Sequence, residues 1–196
     1  WQIGASRLAT ENERLRALLN AHDSKATPVA TGRIIGQSSG NYVRAVLINV
    51  GRTAGVARGN VAVDADGVLG RVIAVGERTA RVLLLTDLNS RIPVKVLPAG
   101  VNAILVGDNL DQPQVSFLPA DAKVSAGDWI VTTGHGGIFP PDLPVGRVVN
   151  VPKSGAPRVA LAADLTRLDY IRVLRFSPED HAVTLPATPD PVETMP

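Results

Sequence analysis

The sequence of 196 residues contains no cysteine, and aromatic residues make up only 4% of it. Without cysteine the chain can form neither a disulfide framework nor a thiolate metal site. The scarcity of aromatic residues also argues against a surface on which nucleic-acid bases stack. Hydrophobic residues reach 45%, and there are 18 glycines and 15 prolines. This turn-rich composition is typical of an all-β protein.

The sequence also lacks a large net charge and a long apolar run. Its formal net charge is +2, which gives no electrostatic footprint for nucleic acid or a membrane surface. Arginines scattered along the predicted strands, Arg147 among them, indicate a solvated β surface. No uninterrupted apolar run approaches the roughly 20 residues needed to span a bilayer. Because the sequence begins with Trp1 rather than Met, we expect any membrane anchor to lie upstream of it.

Residues 1–24 are predicted to form a helix, because their apolar residues follow a heptad pattern. Leu8 and Leu15 occupy d positions, and Asn12 and Leu19 occupy a positions. A polar Asn at one a position fixes the register and favours a two-stranded coiled coil. The pattern therefore predicts a dimerising helix.

The charged residues beside this seam fit a parallel pair. Glu11 falls at g and Arg16 at e, so each can meet its counterpart on a second chain. Three heptads are too short to be stable alone, so the helix needs an upstream continuation or support from the rest of the chain. The alternative is an amphipathic helix that packs on its own domain.

The period changes from helical to strand-like after Pro28, because the residue before a proline resists helix. Residues 25–30 are predicted to be a linker. Beyond them about a dozen short runs rich in Val, Ile and Leu alternate with turns, as in small barrels and sandwiches. A break from Pro98 to Gly100 divides these runs into nearly equal groups. We therefore predict two six-stranded β-barrels, over residues 31–100 and 101–177.

The order of the strands cannot be read from their spacing, which leaves two options: barrel one ends at residue 100, or it also takes the last strand or strands of the body. Asp66-Gly67 predicts a hairpin turn. The clearest strands cover residues 42–50, 68–75, 80–86, 92–97, 103–106, 129–132, 145–151 and 170–176. After Ser177, five prolines among small polar residues predict a disordered tail over residues 178–196.

Residues that carry enzyme chemistry are scarce. Of the three histidines, only His135 falls in the β body, too late in the chain for the His, Asp, Ser order of a chymotrypsin-like protease. No cluster of His, Asp and Glu has the spacing of a metal site. The Gly-rich residues 133–137 lack the Lys and Ser or Thr of a phosphate loop. The sequence predicts no catalytic residue, metal ligand or cofactor, with a divergent protease as a remote alternative.

Two loops are candidates for contact with a partner or for assembly. The first contains Asn89, Ser90 and Arg91, where polar and charged residues precede a strand. The second carries His135, Phe139 and Leu143 in a proline-stiffened segment, and a rigid loop with apolar side chains binds at a lower entropy cost. An equally good interpretation is that Phe139 plugs the end of a barrel.

Six segments occur in a specific order along the chain. They are residues 15–19 (Leu-Arg-Ala-Leu-Leu), 43–51 (Val-Arg-Ala-Val-Leu-Ile-Asn-Val-Gly), 68–72 (Val-Leu-Gly-Arg-Val), 82–87 (Val-Leu-Leu-Leu-Thr-Asp), 89–94 (Asn-Ser-Arg-Ile-Pro-Val) and 127–146. Together they span nearly everything from residue 8 to about residue 176. In this order they resemble the rod-shape-determining MreC family of bacterial cell-wall elongation.

The resemblance implies a single-pass inner-membrane protein with a periplasmic coiled coil and two small barrels in a chymotrypsin-like arrangement without a catalytic triad. It implies a non-catalytic periplasmic scaffold that maintains rod shape, forms a homodimer and higher assemblies, and regulates a class B penicillin-binding transpeptidase. It also implies MreD and MreB as partners. Nucleic acid is not among them, and the membrane is met only through an upstream anchor.

One position departs from the family pattern. Where the family commonly has Phe-Pro-x-Gly, this chain has Asp142 in place of the glycine, and Asp tolerates a positive φ better than most residues.

The main alternative function is a periplasmic adaptor of an efflux or secretion assembly. Such adaptors generally contain a long helical hairpin, for which the strand order after residue 30 leaves no room.

Overall fold

The computed structural model describes residues 26–39, 43–152, 155–165, 167 and 169–177. The predicted coiled-coil helix lies outside the described residues, together with its seam of Leu8, Glu11, Asn12, Leu15, Arg16 and Leu19. The predicted tail over residues 178–196 also lies outside them.

The described residues form β-strands joined by turns and two short 3-10 segments, Arg52–Ala54 and His135–Gly137. The strands are β1 (Ala26–Ser39), β2 (Arg44–Ile48), β3 (Val61–Val63), β4 (Val68–Val75), β5 (Ala80–Leu84), β6 (Arg91–Leu97), β7 (Val101–Val106), β8 (Gln114–Ser116), β9 (Trp129–Thr132), β10 (Pro144–Asn150), β11 (Arg158–Leu161) and β12 (Tyr170–Phe176).

These strands close into two six-stranded antiparallel barrels, as predicted. Barrel one has the order β1-β12-β3-β4-β5-β2, and barrel two has the order β10-β11-β8-β7-β6-β9. Closure leaves neither sheet with a continuous open edge. The last strand, β12, returns to barrel one and lies between β1 and β3, which resolves the alternative that strand spacing had left open.

The first strand begins earlier than predicted. Residues 26–30, expected to belong to a linker, form the start of β1 and pair with β12. The linker prediction was wrong there because Pro28 is compatible with this strand. Up to Arg33, β1 pairs only with β12, and from Ile34 it pairs only with β2, so the proline's missing N–H can face the unpaired side.

The boundary between the barrels also differs from the prediction. The break from Pro98 to Gly100 is the turn of the β6–β7 hairpin, in which Val96 pairs with Val101, and both strands belong to barrel two. The chain instead crosses between barrels through residues 85–90, after β5 ends at Leu84. The expected boundary at residue 100 was therefore about ten residues too late.

The two barrels share a continuous apolar contact. Barrel one is filled by a cluster that includes Val46, Ile48 and Leu69. A second cluster fills barrel two and also takes in side chains of the first half of the chain and of β12, namely Val61, Val63, Val68, Leu85 and Leu174. Burial of this apolar surface stabilises the pair of barrels as one body.

The tip of the β3–β4 hairpin fits closely against barrel two. The Asp64 carboxylate accepts hydrogen bonds from the backbone N–H groups of Asp66 and Gly67, both at 2.8 Å, which closes the predicted turn. A Cβ on Gly67 would lie 2.6 Å from the Pro144 carbonyl oxygen. Glycine is therefore required here by the close approach of the second barrel.

A candidate interaction surface on the second barrel

The histidine of the β body lies at the surface of barrel two, in the loop after β9. His135 is exposed, and its backbone N–H donates to Thr133 Oγ1 at 3.1 Å. Among the described residues no group of three or more His, Asp or Glu side chains could hold a metal ion. In that same part of the chain, no helix combines the length and the hydropathy that a bilayer span requires.

The structure places Phe139 inside barrel two. Its side chain is 2% exposed and belongs to the barrel's buried cluster, against which the half-buried Leu143 packs. This position matches the interpretation in which Phe139 plugs a barrel end. Direct contact of Phe139 with a partner would require the loop to open. Ile138, its neighbour, is partly exposed instead.

The loop that carries Phe139 is fastened by a buried threonine. Thr132 Oγ1 donates to the Pro140 carbonyl at 2.5 Å and accepts from the Leu143 N–H at 2.9 Å. Asp142 has a φ of 62°, so the aspartate adopts the left-handed conformation that glycine would adopt more easily. The chain thus places an aspartate in the left-handed conformation at the position where its sequence departs from the family pattern.

The other candidate loop is part of the crossover between the barrels. Asn89 and Arg91 are exposed, whereas Ser90 is 6% exposed. The Ser90 N–H donates to the Asp87 carbonyl at 2.9 Å, and the Ser90 carbonyl accepts from the Gly107 N–H at 3.1 Å. These bonds give Ser90 a role in the structure of the crossover, and leave Asn89 and Arg91 accessible to solvent.

Asp87 joins the crossover to barrel one. Its side chain is fully buried. One carboxylate oxygen accepts from the Arg44 N–H at 2.6 Å, and the other accepts from the backbone N–H and the side-chain amide of Asn89 at 2.8 and 3.0 Å. Arg44 begins β2, so the carboxylate fixes the crossover against that strand.

The largest exposed aromatic group of barrel two lies on the strand pair β9–β10. Trp129 pairs with Arg147 across these strands, and the guanidinium carbon of Arg147 lies 3.9 Å from the centroid of the indole. Val149 and Val151, further along the chain from Arg147, are also exposed. We call Trp129, Arg147, Val149 and Val151 the β10 face.

A shallow depression of about 320 Å³ adjoins the β10 face. Gly146, Ala160 and Ala162 line it and have small side chains or none, and Asp66 of barrel one also borders it. Gly146 is required for close strand packing, because a Cβ there would lie 2.2 Å from the Ala160 carbonyl oxygen. The result is a concave, mostly apolar surface beside an aromatic ring and a cation.

Sequence reasoning did not identify the β10 face. Arg147 was grouped with the arginines of a solvated surface, and Trp129 was noted only as part of a strand. The available signal was Trp129 itself, one of only two tryptophans, because a partly exposed tryptophan is common at binding surfaces.

Two closed six-stranded barrels packed against each other through a shared apolar cluster define the class of this protein as a two-barrel β module. Comparison with known proteins identifies which one. The family model for the barrel core of the rod shape-determining protein MreC matches residues 34–175. The chain belongs to the MreC family.

Individual relatives agree with this assignment. The cell shape-determining protein MreC of Cereibacter sphaeroides is 44% identical over 176 residues, which are 89% of this chain and 58% of that protein. The chain thus spans somewhat more than half of this relative.

Solved structures show the same fold. One is described as the major periplasmic domain from the cell shape-determining filament MreC, with a TM-score of 0.66 at 29% identity, covering 74% of this chain and 96% of that one. A chain in the complex between the penicillin-binding protein PBP2 and MreC from Helicobacter pylori has a TM-score of 0.55 at 19% identity, covering 75% and 96%. At that identity the likeness extends to the fold alone.

Proposed function

We propose that this chain is a non-catalytic periplasmic scaffold of cell-wall elongation, which maintains rod shape by self-associating and by holding the elongation transpeptidase. Family membership and the periplasmic, filament-forming relative support the location and the self-association. The complex of a relative with PBP2 supports a transpeptidase as partner. The efflux-adaptor alternative receives no support from these relatives. MreD and MreB remain partners implied by the resemblance.

The observation that carries the proposal is the β10 face. Trp and Arg are enriched among the residues that contribute most to binding between proteins. The stacked arginine holds the Trp129 ring in place, which reduces the entropy lost on binding. The adjoining depression, floored by small residues, can receive an apolar side chain of the partner. We assign transpeptidase binding to this face.

Replacing Trp129 with alanine is expected to raise the Kd for the periplasmic part of the elongation transpeptidase by about 30-fold, or roughly 2 kcal/mol. The loss follows from removing the largest exposed ring on this face and leaving Arg147 without its stacking partner. Isothermal titration calorimetry with the purified transpeptidase measures the change.

Tyr170→Ala is the matched control, because Tyr170 is an exposed aromatic residue on a strand of barrel one. Its Kd is expected to equal that of the unaltered chain. Thermal unfolding of both variants separates lost binding from lost folding. Unchanged affinity for the transpeptidase in a folded Trp129→Ala variant would contradict the assignment of transpeptidase binding to the β10 face.

Self-association is proposed to use the predicted helix seam. Leu15→Asp is expected to abolish dimer formation, because a charge at a d position faces the apolar seam of the second chain. Sedimentation velocity over a range of concentrations, on a chain that keeps its natural upstream sequence, measures the change. Ala17→Asp, which falls outside the seam in this register, is the control. A monomer at every concentration of the unaltered chain would contradict the seam.

A further inference from the structure

Four arginines surround the β4–β5 hairpin of barrel one, and none of them forms an ion pair with another described residue. We call Arg58, Arg71, Arg78 and Arg81 the arginine face. Arg58, Arg78 and Arg81 are exposed, and Arg71 is half-buried. Within the described part of the chain, the ion pairs use other arginines. The acidic residue of the hairpin turn, Glu77, is paired with Arg52.

The strand register brings these arginines together. Arg71 pairs with Leu83, and Arg81 lies two residues before Leu83 on β5, so Arg71 and Arg81 are diagonal neighbours on one face, with Cα atoms about 7–8 Å apart. Arg78 lies in the turn between the two strands. The residue after Arg58 donates its N–H to the Val72 carbonyl at 2.9 Å, which fixes Arg58 beside β4. Like charges at this spacing repel one another and attract an anion.

An anionic segment follows in the same chain. Residues 178–196 contain Glu179, Asp180, Asp190 and Glu193 and no Lys or Arg. They follow β12, whose Leu174 is opposite Val61 of β3, and Val61 is in turn opposite Arg71 of β4. Since neighbouring strands lie about 4.8 Å apart, the chain leaves β12 about 10 Å from the strand that carries Arg71.

The distance is well within reach of the segment. Each residue of an extended chain spans at most about 3.3–3.6 Å, so Glu179 and Asp180 can reach the hairpin soon after Ser177, and Asp190 and Glu193 can reach any part of it. An exposed ion pair is weak and screened by salt. Attachment to the same chain offsets the weakness of these ion pairs, because a short tether gives the segment an effective concentration in the millimolar range at the face.

We propose that residues 178–196 fold back onto the arginine face and cover it by charge pairing. The segment acts as an intramolecular competitor, so that another anion reaches the face only by displacing it. The arginine face is cationic and the segment is anionic, and the segment follows directly after β12 of the same barrel. This proposal concerns barrel one and does not depend on the transpeptidase or on the β10 face.

Because the chain contains no cysteine, a single Thr188→Cys substitution can carry a nitroxide spin label in the full chain. At low salt we expect the label to broaden the amide NMR signals of Arg71, Arg78 and Arg81. The broadening is expected to be lost at high salt, in an Arg71→Gln/Arg81→Gln variant, and when the four carboxylates of the segment are changed to amides.

Arg91→Gln/Lys95→Gln removes the same charge from barrel two and is expected to leave the broadening unchanged. Absence of broadening at low salt, or equal broadening over both barrels, would overturn the proposal.

Vesicles of phosphatidylglycerol and phosphatidylcholine provide a second measurement. Stronger vesicle binding by the amide variant supports a cover, whereas equal binding by both chains would show that the segment does not occupy the face.

Discussion

Phe139→Ala is expected to lower the free energy of unfolding by about 3–5 kcal/mol, the usual cost of truncating a buried phenylalanine. The side chain is 2% exposed and belongs to the cluster that fills barrel two. The loop around it is held by the hydrogen bonds of Thr132, so it cannot collapse freely into the cavity. Urea denaturation, with the midpoint and slope fitted separately, measures the loss.

Ile138→Ala is the matched control, since Ile138 precedes Phe139 in the same loop and is 36% exposed. Its stability is expected to change by less than about 1 kcal/mol. The pair of variants also separates the two interpretations of the loop. If Phe139→Ala weakened transpeptidase binding without loss of stability, Phe139 would be a contact residue rather than a barrel plug.

The strands could be predicted because alternation along a strand directly reflects the two sides of a barrel wall. In β6, Ile92, Val94 and Val96 are buried, and between them Lys95 lies on the outer side. The Asp66-Gly67 turn could also be predicted, because the residues that indicate the turn are the same residues that form it. Both features are confirmed.

Features that depend on distant pairing could not be predicted in this way. Pro28 was assigned to a linker at the end of the helical pattern, because the sequence does not show that β1 has an unpaired side at that position. The polar residues around Asp87 looked like a surface loop. They are polar because the buried crossover has backbone donors that need acceptors, and only the assembled barrels show those donors.

The β10 face was missed for a related reason. Trp129 and Arg147 become neighbours only when the register of β9 and β10 is known, and that register includes a bulge between Pro144 and Gly146. A shift of one residue would turn Arg147 away from the ring. From the sequence, Trp129 could be placed on a strand, but its contact with Arg147 on the neighbouring strand could not be predicted.

Asp87→Ala is expected to lower the free energy of unfolding by about 3 kcal/mol or more, because each buried donor left without an acceptor costs about 1–3 kcal/mol. The variant would leave the backbone N–H groups of Arg44 and Asn89 without acceptors. Asp87→Asn keeps one acceptor oxygen and turns an amide N–H₂ toward a donor, so an intermediate loss is expected. Urea denaturation gives the magnitude, and amide hydrogen exchange at Arg44 and Asn89 locates it.

Thr86→Val provides the matched control in the same turn. Thr86 is fully buried, and its hydroxyl has no hydrogen-bond partner within the described residues. Replacing an unsatisfied hydroxyl with a methyl group of similar shape is expected to be neutral or stabilising. If Thr86→Val destabilised the chain as much as Asp87→Ala, the loss would reflect packing of the crossover. Only a loss specific to Asp87, with faster exchange at Arg44, identifies its carboxylate as the group that fixes the crossover to barrel one.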